Sequence, residues 1–132
     1  MLFRSEGSTI TRNDDSSLKL ITINPSEFAT SIHLPDDATI VMLETTGRDG
    51  ANTPGTVGLD IVTTLGRTTF AGAASVMATT TSAGGGSVWN TTSIATPVVD
   101  NGTHSYWVRV KMSGPSTLFA VRVLYRVTSP LP

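Results

Sequence analysis

Thr103–Met112 reads THSYWVRVKM and Leu118–Val127 reads LFAVRVLYRV, and both stretches alternate with a period of two. In the first, Tyr106, Val108, Val110 and Met112 share one face, with Ser105, Trp107, Arg109 and Lys111 on the other. In the second, Phe119, Val121, Val123, Tyr125 and Val127 oppose Ala120, Arg122, Leu124 and Arg126. Successive side chains of a strand point to opposite faces, so this alternation marks two half-buried strands. Ser113-Gly114-Pro115-Ser116 joins them and has turn chemistry, which predicts a hairpin. Matching the apolar faces pairs Met112 with Phe119, Val110 with Val121, Val108 with Val123 and Tyr106 with Tyr125. A one-residue slip would turn every core side chain outward. That register sets Arg109 opposite Arg122 and Trp107 opposite Leu124 on the outer face. Like charges directly opposed destabilise a strand pair. A second copy of the chain is therefore expected to cover Trp107, Arg109, Arg122 and Leu124 as a subunit interface, with a homotrimer as the expected state.

Outward from this pair, the chain repeats strand and turn. Ser17–Ile23 is a short strand closed by Asn24-Pro25, and Phe28–Leu34 is another, ended by Pro35-Asp36-Asp37. Ala38–Thr46 is apolar on both faces, Ile40 and Met42 against Val41 and Leu43, so it is expected to be central. Thr56–Leu65 alternates and is expected to turn at Gly66-Arg67. Thr68–Thr81 is less regular; a short helix across Ala71–Met77 is conceivable, with Gly72 and the flanking Thr runs against it. Ala83–Gly86 reads as a flexible turn and Ser87–Ala95 as a strand broken by Pro97. Asp100-Asn101-Gly102 is a strong turn signal. About eight short antiparallel strands at near-regular spacing, with no βαβ signal, read as a single all-β sandwich, jelly-roll-like, with an immunoglobulin-like sandwich second. Residues 17–132 make this domain. Residues 1–16 read as an extended N-terminal arm that could lay Leu2, Phe3 and Ile10 onto a neighbour.

The composition agrees with strands and turns. The chain has 132 residues, of which 22 are Thr and 14 Ser, with 12 Gly and only 14% charged residues. Thr favours strands, while Ser and Gly favour the turns between them. A helical bundle, a coiled coil and a charged disordered tail are excluded. The net charge of −1 gives no global pull toward nucleic acid or an anionic membrane, and neither is an expected partner. The charge is segregated, however: residues 1–60 balance to −5 and residues 61–132 to +4, so the two halves could complement each other. With 0 Cys there is no disulfide, thiolate metal site or cysteine nucleophile. MLFRSEGST lacks the basic-then-apolar run of a signal peptide, which predicts synthesis in the cytoplasm of the host cell.

Chemistry-bearing patterns are sparse. His33 and His104 belong to no metal spacing such as HxH or HExxH, and both are expected on strand surfaces. No Gly-x-Ser-x-Gly elbow occurs, and Ala83–Gly86 lacks the Lys-Ser/Thr ending of a phosphate loop. Asp14-Asp15, Asp36-Asp37 and Arg48-Asp49-Gly50 lack calcium-loop spacing and read as solvated turns. No catalytic residue, cofactor or metal is expected. Trp89 and Trp107 could stack a sugar, but the register above sends Tyr106 and Tyr125 inward and leaves only those two rings.

IHLPDDATI (Ile32–Ile40), VDNGTHSYWVRV (Val99–Val110) and LFAVRVLYRV (Leu118–Val127) together resemble a recurring small β-sandwich module of phage virion and bacterial surface proteins. The likeness covers about residues 28–127, with His104 where a Tyr is more usual. It rests on turns and strands, and it implies a structural or adhesive role and a frequently trimeric state. A short, cysteine-free sandwich with an arm looks like a phage capsid decoration (cement) protein on the capsid exterior of the virion. The expected partners are then further copies of the chain and the major capsid protein, with Leu2, Phe3, Arg4, Ile10 and Arg12 of the arm as the capsid contact. A tail-fibre or carbohydrate-binding adhesion module is the alternative.

Overall fold

The computed structural model describes residues 10–12, 18–20, 26–48, 61–83, 87–112 and 116–127. Among them nine strands occur and no helix: β1 (Ile10–Arg12), β2 (Leu18–Leu20), β3 (Ser26–Ile32), β4 (Thr39–Arg48), β5 (Ile61–Thr69), β6 (Ala74–Thr81), β7 (Val88–Thr91), β8 (His104–Met112) and β9 (Thr117–Arg126). They form two antiparallel sheets, ordered β1-β2-β9-β4-β7 and β3-β8-β5-β6. The pairs β2·β9, β3·β8, β4·β7 and β5·β6 are nested about the β5–β6 turn. One long antiparallel ribbon rolled over on itself produces this order. It is the jelly roll, an eight-strand double-sheet arrangement, with β1 added at one edge.

Nesting of this kind rules out the expected hairpin. In the roll β8 pairs with β3 and β5, while β9 pairs with β4 and β2, so the two strands lie in opposite sheets. Met112 and Thr117 therefore belong to different sheets, and residues 113–115 of the expected turn lie outside the described residues. Strand alternation is nevertheless as expected in β8, where Tyr106, Val108, Val110 and Met112 are all buried. In β9 the expected alternation holds only over Val121, Arg122 and Val123; beyond them Leu124 is half-buried and Tyr125, expected inward, is exposed. A register irregularity where Thr46/Gly47 of β4 faces Leu118/Ala120 leaves Phe119 without an opposed partner, so Leu118 is buried and Phe119 is 42% exposed.

β4 is central, between β9 and β7, and even Glu44 on its outer face is 9% exposed. The core holds Phe28, Ile40, Leu43, Ile61, Leu65, Met77 and the four β8 residues. Threonine enters it too: the Thr45 hydroxyl donates to Thr63 Oγ1 (2.7 Å) and lies 3.0 Å from Thr80 Oγ1. Since Thr45 has one hydroxyl proton, Thr80 donates to it, and buried polar groups from both sheets satisfy each other.

Gly66-Arg67 is not a turn. β5 continues through it to Thr69, and the reversal comes at Phe70–Gly72, where Gly72 takes φ +95°. Gly66 instead sits opposite Trp107 on β8, whose indole lies over the glycine. Ala74–Thr81 is strand, so the conceivable helix over Ala71–Met77 does not form. The 84–86 part of the glycine turn lies outside the described residues, as do residues 49–60 ahead of β5.

Candidate functional site

The four residues expected at a subunit interface are divided by the fold. Trp107 and Arg109 alternate with the buried face of β8 and lie on the outer face of one sheet; Arg122 and Leu124 lie on the outer face of the other. No Arg109–Arg122 opposition exists. The Trp107 Nε1–H donates to Thr68 Oγ1 at 2.9 Å, and the Arg109 guanidinium stands 5.4 Å from the Trp107 ring, a cation–π distance. The Arg122 guanidinium donates to Glu44 Oε2 at 2.7 Å. This ion pair joins an acid of the acidic half to a base of the basic half, across neighbouring strands. Of the expected arm contact, Ile10 and Arg12 lie in β1, which pairs with β2 at the sheet edge. Leu2, Phe3 and Arg4 lie outside the described residues.

Two clefts take the place of that interface. The first opens between the sheets where β3 and β9 face each other. It has a volume of about 310 Å³ and is lined by Phe28, Ile32, Leu34, Val121, Val123 and Tyr125, among others. Phe28 and Leu34 are buried in its wall, whereas Tyr125 is 43% exposed. Its lining is mostly apolar, with Thr30, His33 and Tyr125 as the exceptions, because inward residues of β3 and β9 meet there.

A second, more polar cleft of about 450 Å³ lies beside the β5–β6 turn, lined by His33, Phe70, Asn101, His104, Ser31 and Ser105 among others. The β3–β8 register ends at Ile32↔Tyr106, which carries His33 and His104 into the same neighbourhood despite their 71-position separation. Loop hydrogen bonds fix the walls. Asn101 Nδ2 donates to the Leu34 carbonyl (2.9 Å), and the Asn101 N–H donates to Asp36 Oδ1 (2.8 Å). The Asp100 carboxylate accepts from the Gly102 N–H (3.0 Å) and from Thr103 Oγ1 (2.6 Å). Thr103 Oγ1 is also 2.7 Å from His104 Nδ1. A hydroxyl has one proton, and Thr103 gives it to Asp100. His104 then donates to the Thr103 oxygen from Nδ1.

The same bonds set the charge of Asp100. The Thr103 hydroxyl first, then the Gly102 N–H and the nearby His104, hold its carboxyl below the ordinary 3.8. A depressed acid stabilises the folded turn above its unfolded value and loses that contribution as pH falls through the folded one. The expected result is that Asp100 titrates below pH 3.8 and that Thr103→Ala moves it upward toward that value. Carboxyl-carbon NMR titration measures both; an unchanged midpoint in the variant would remove Thr103 as the cause.

Among the described residues no three His, Cys, Asp or Glu side chains cluster as metal ligands would. Phe70, 71% exposed at the turn tip, is the aromatic ring the polar cleft presents. Trp107 is pinned at Thr68 and Trp89 packs against the core. The arrangement offers binding chemistry: an apolar slot and a hydrogen-bonding cleft beside one exposed ring. Neither was legible as a site in the sequence, because each is assembled from strands whose neighbours were unknown. Compared with protein families the chain matches none, and no curated protein is similar to it.

Proposed function

We propose that this chain is a structural virion protein of the phage capsid decoration (cement) type, whose copies associate as a homotrimer on the capsid exterior and hold the major capsid protein subunits together. The carrying observation is the nested eight-strand order, since jelly rolls recur in viral capsid and lectin domains. The resemblance of Ile32–Ile40, Val99–Val110 and Leu118–Val127 to phage virion modules supports the same reading. A packed apolar and threonine interior leaves the outer surfaces and clefts for function. Decoration works by multivalency: a modest contact per copy suffices once linked copies engage together.

The adhesion reading has one observation in its favour, the polar cleft with Phe70 at its rim, since exposed rings beside hydrogen-bonding side chains suit glycans. Copy number separates the two. Quantitative peptide mass spectrometry of purified particles of the encoding phage is expected to find this chain in amounts comparable to the shell protein. A handful of copies per particle would assign it to a fibre, and its absence from particles would overturn both readings.

A further inference from the structure

We propose that the polar cleft beside the β5–β6 turn is a binding site for a neutral glycan, with one or two pyranose rings stacked on Phe70 and hydrogen-bonded within the cleft. The first observation is the ring and its support. Phe70 is 71% exposed where it lines the cleft, and the turn that carries it is closed by its own hydrogen bonds. The Thr69 N–H donates to the Ala73 carbonyl (2.9 Å), and the Gly72 N–H donates to the Thr69 carbonyl (2.8 Å). The Ala73 N–H donates to Thr69 Oγ1 (3.0 Å). A further bond from the Phe70 N–H to the Thr103 carbonyl (3.3 Å) ties the turn to the loop that carries Asn101. The ring is thus held on a braced support, and little freedom is lost when a ligand covers it.

The second observation is the lining. Ser31, His33, Asn101, His104 and Ser105 line the cleft with Phe70. A serine hydroxyl both donates and accepts, and Asn101, whose Nδ2 is bound to the Leu34 carbonyl, keeps its amide oxygen as an acceptor. At about 450 Å³ the cleft lies within the size of ligand sites, roughly 300–1,000 Å³. Charge then selects the ligand class. Among the described residues no Lys, Arg, Asp or Glu lines the cleft, so nothing there pairs with a phosphate, a sulfate or a carboxylate. The acids of the neighbouring loops are engaged: Asp100 accepts from Gly102 and Thr103, and Asp36 Oδ1 accepts the Asn101 N–H. A cation is therefore no better served. What fits is an uncharged molecule whose closely spaced hydroxyls donate and accept, and whose apolar C–H face meets the electron-rich face of an aromatic ring. A pyranose has all three properties. The assignment goes beyond the decoration reading and does not depend on it, because the cleft is built within one chain.

The test is an NMR titration of the full chain with maltose, cellobiose, lactose and N,N′-diacetylchitobiose. At least one of these is expected to shift the amide signals of Phe70, Asn101, His104 and Ser105 to saturation. Phe70→Ala is expected to weaken that disaccharide about tenfold, the upper part of what a stacked ring contributes. Phe70→Trp keeps a stacking face and is expected to keep binding. Phe119→Ala, which removes an exposed ring from the other sheet, is expected to leave binding unchanged. Unmoved Val108 and Val110 signals in Phe70→Ala show that the sandwich is intact. Failure of all four disaccharides to bind, shifts that map away from the cleft, or undiminished affinity in Phe70→Ala would overturn the proposal. So would tighter binding of 3′-sialyllactose than of lactose, since that preference requires a cation the cleft does not hold. Particle copy number is measured separately, so the glycan site and the decoration reading stand or fall separately.

Discussion

Gly66→Val is expected to destabilise the sandwich by about 2–3 kcal/mol, the upper part of the range for overpacked sites. Two effects oppose each other at this position. Glycine in a strand interior is unfavourable by roughly 0.5–1 kcal/mol against alanine, so its removal alone would help. A Cβ at residue 66, however, meets the Trp107 ring at 2.1 Å from Cζ2 and 2.3 Å from Cη2. Real carbon atoms do not approach so closely, so the indole must leave. When it leaves, its 2.9 Å bond to Thr68 is lost, and so is the Arg109 stack. The clash therefore wins. Urea unfolding measures the difference, and a double-mutant cycle gives its cause. Trp107→Ala in the Gly66→Val background is expected to cost far less than in the parent, because the ring is already displaced. Additive costs would show that Trp107 is not what requires glycine at residue 66.

The same residue pair shows what was readable in the sequence and what was not. Period-two alternation in Thr103–Met112 located a buried face correctly, because burial on one side of a strand is a local consequence of the pleat. Pairing is not local. Gly66-Arg67 has the composition of a turn, and only the presence of Trp107 on the neighbouring strand explains glycine inside β5. The Ser113–Ser116 link likewise has turn chemistry whether the chain folds back or crosses to the other sheet. Nesting of distant pairs such as Phe28↔Val110 decides between them. The sandwich and its rolled topology were thus within reach of counting strands and turns, and the register between particular strands was not.

Site residues failed for a related reason. The Arg109–Arg122 conflict followed from a pairing that does not form, and Glu44, the partner of Arg122, lies 78 positions away in β4. Segregated charge was the one sequence signal for this ion pair, and it named no residues. The cleft between β3 and β9 required knowing that these two strands, far apart in sequence, face each other across the sandwich. His33 and His104 illustrate the converse. Each looked isolated in the sequence, and the β3–β8 register places both around one cleft.

That cleft depends on one core side chain, and Tyr106 substitutions are expected to show it in two steps. Tyr106 is 2% exposed, and its hydroxyl accepts the Asp100 N–H at 2.8 Å. Its ring therefore belongs to the core while its oxygen belongs to the turn that carries Asn101, Thr103 and His104. Tyr106→Ala removes both parts and is expected to cost about 3–5 kcal/mol, the range for deleting a buried aromatic side chain. Tyr106→Phe keeps the ring and removes only the acceptor, for a global cost of about 0.5–1.5 kcal/mol. The informative quantity in this second variant is local. With its acceptor gone, the Asp100 amide is expected to exchange with solvent faster than in the parent, while Val108 and Val110 in the middle of β8 stay protected. Hydrogen exchange followed by NMR resolves these positions. Unchanged exchange at Asp100 would mean that the Asp36–Asn101 and Asn101–Leu34 bonds hold the turn without Tyr106, leaving the tyrosine a purely packing role.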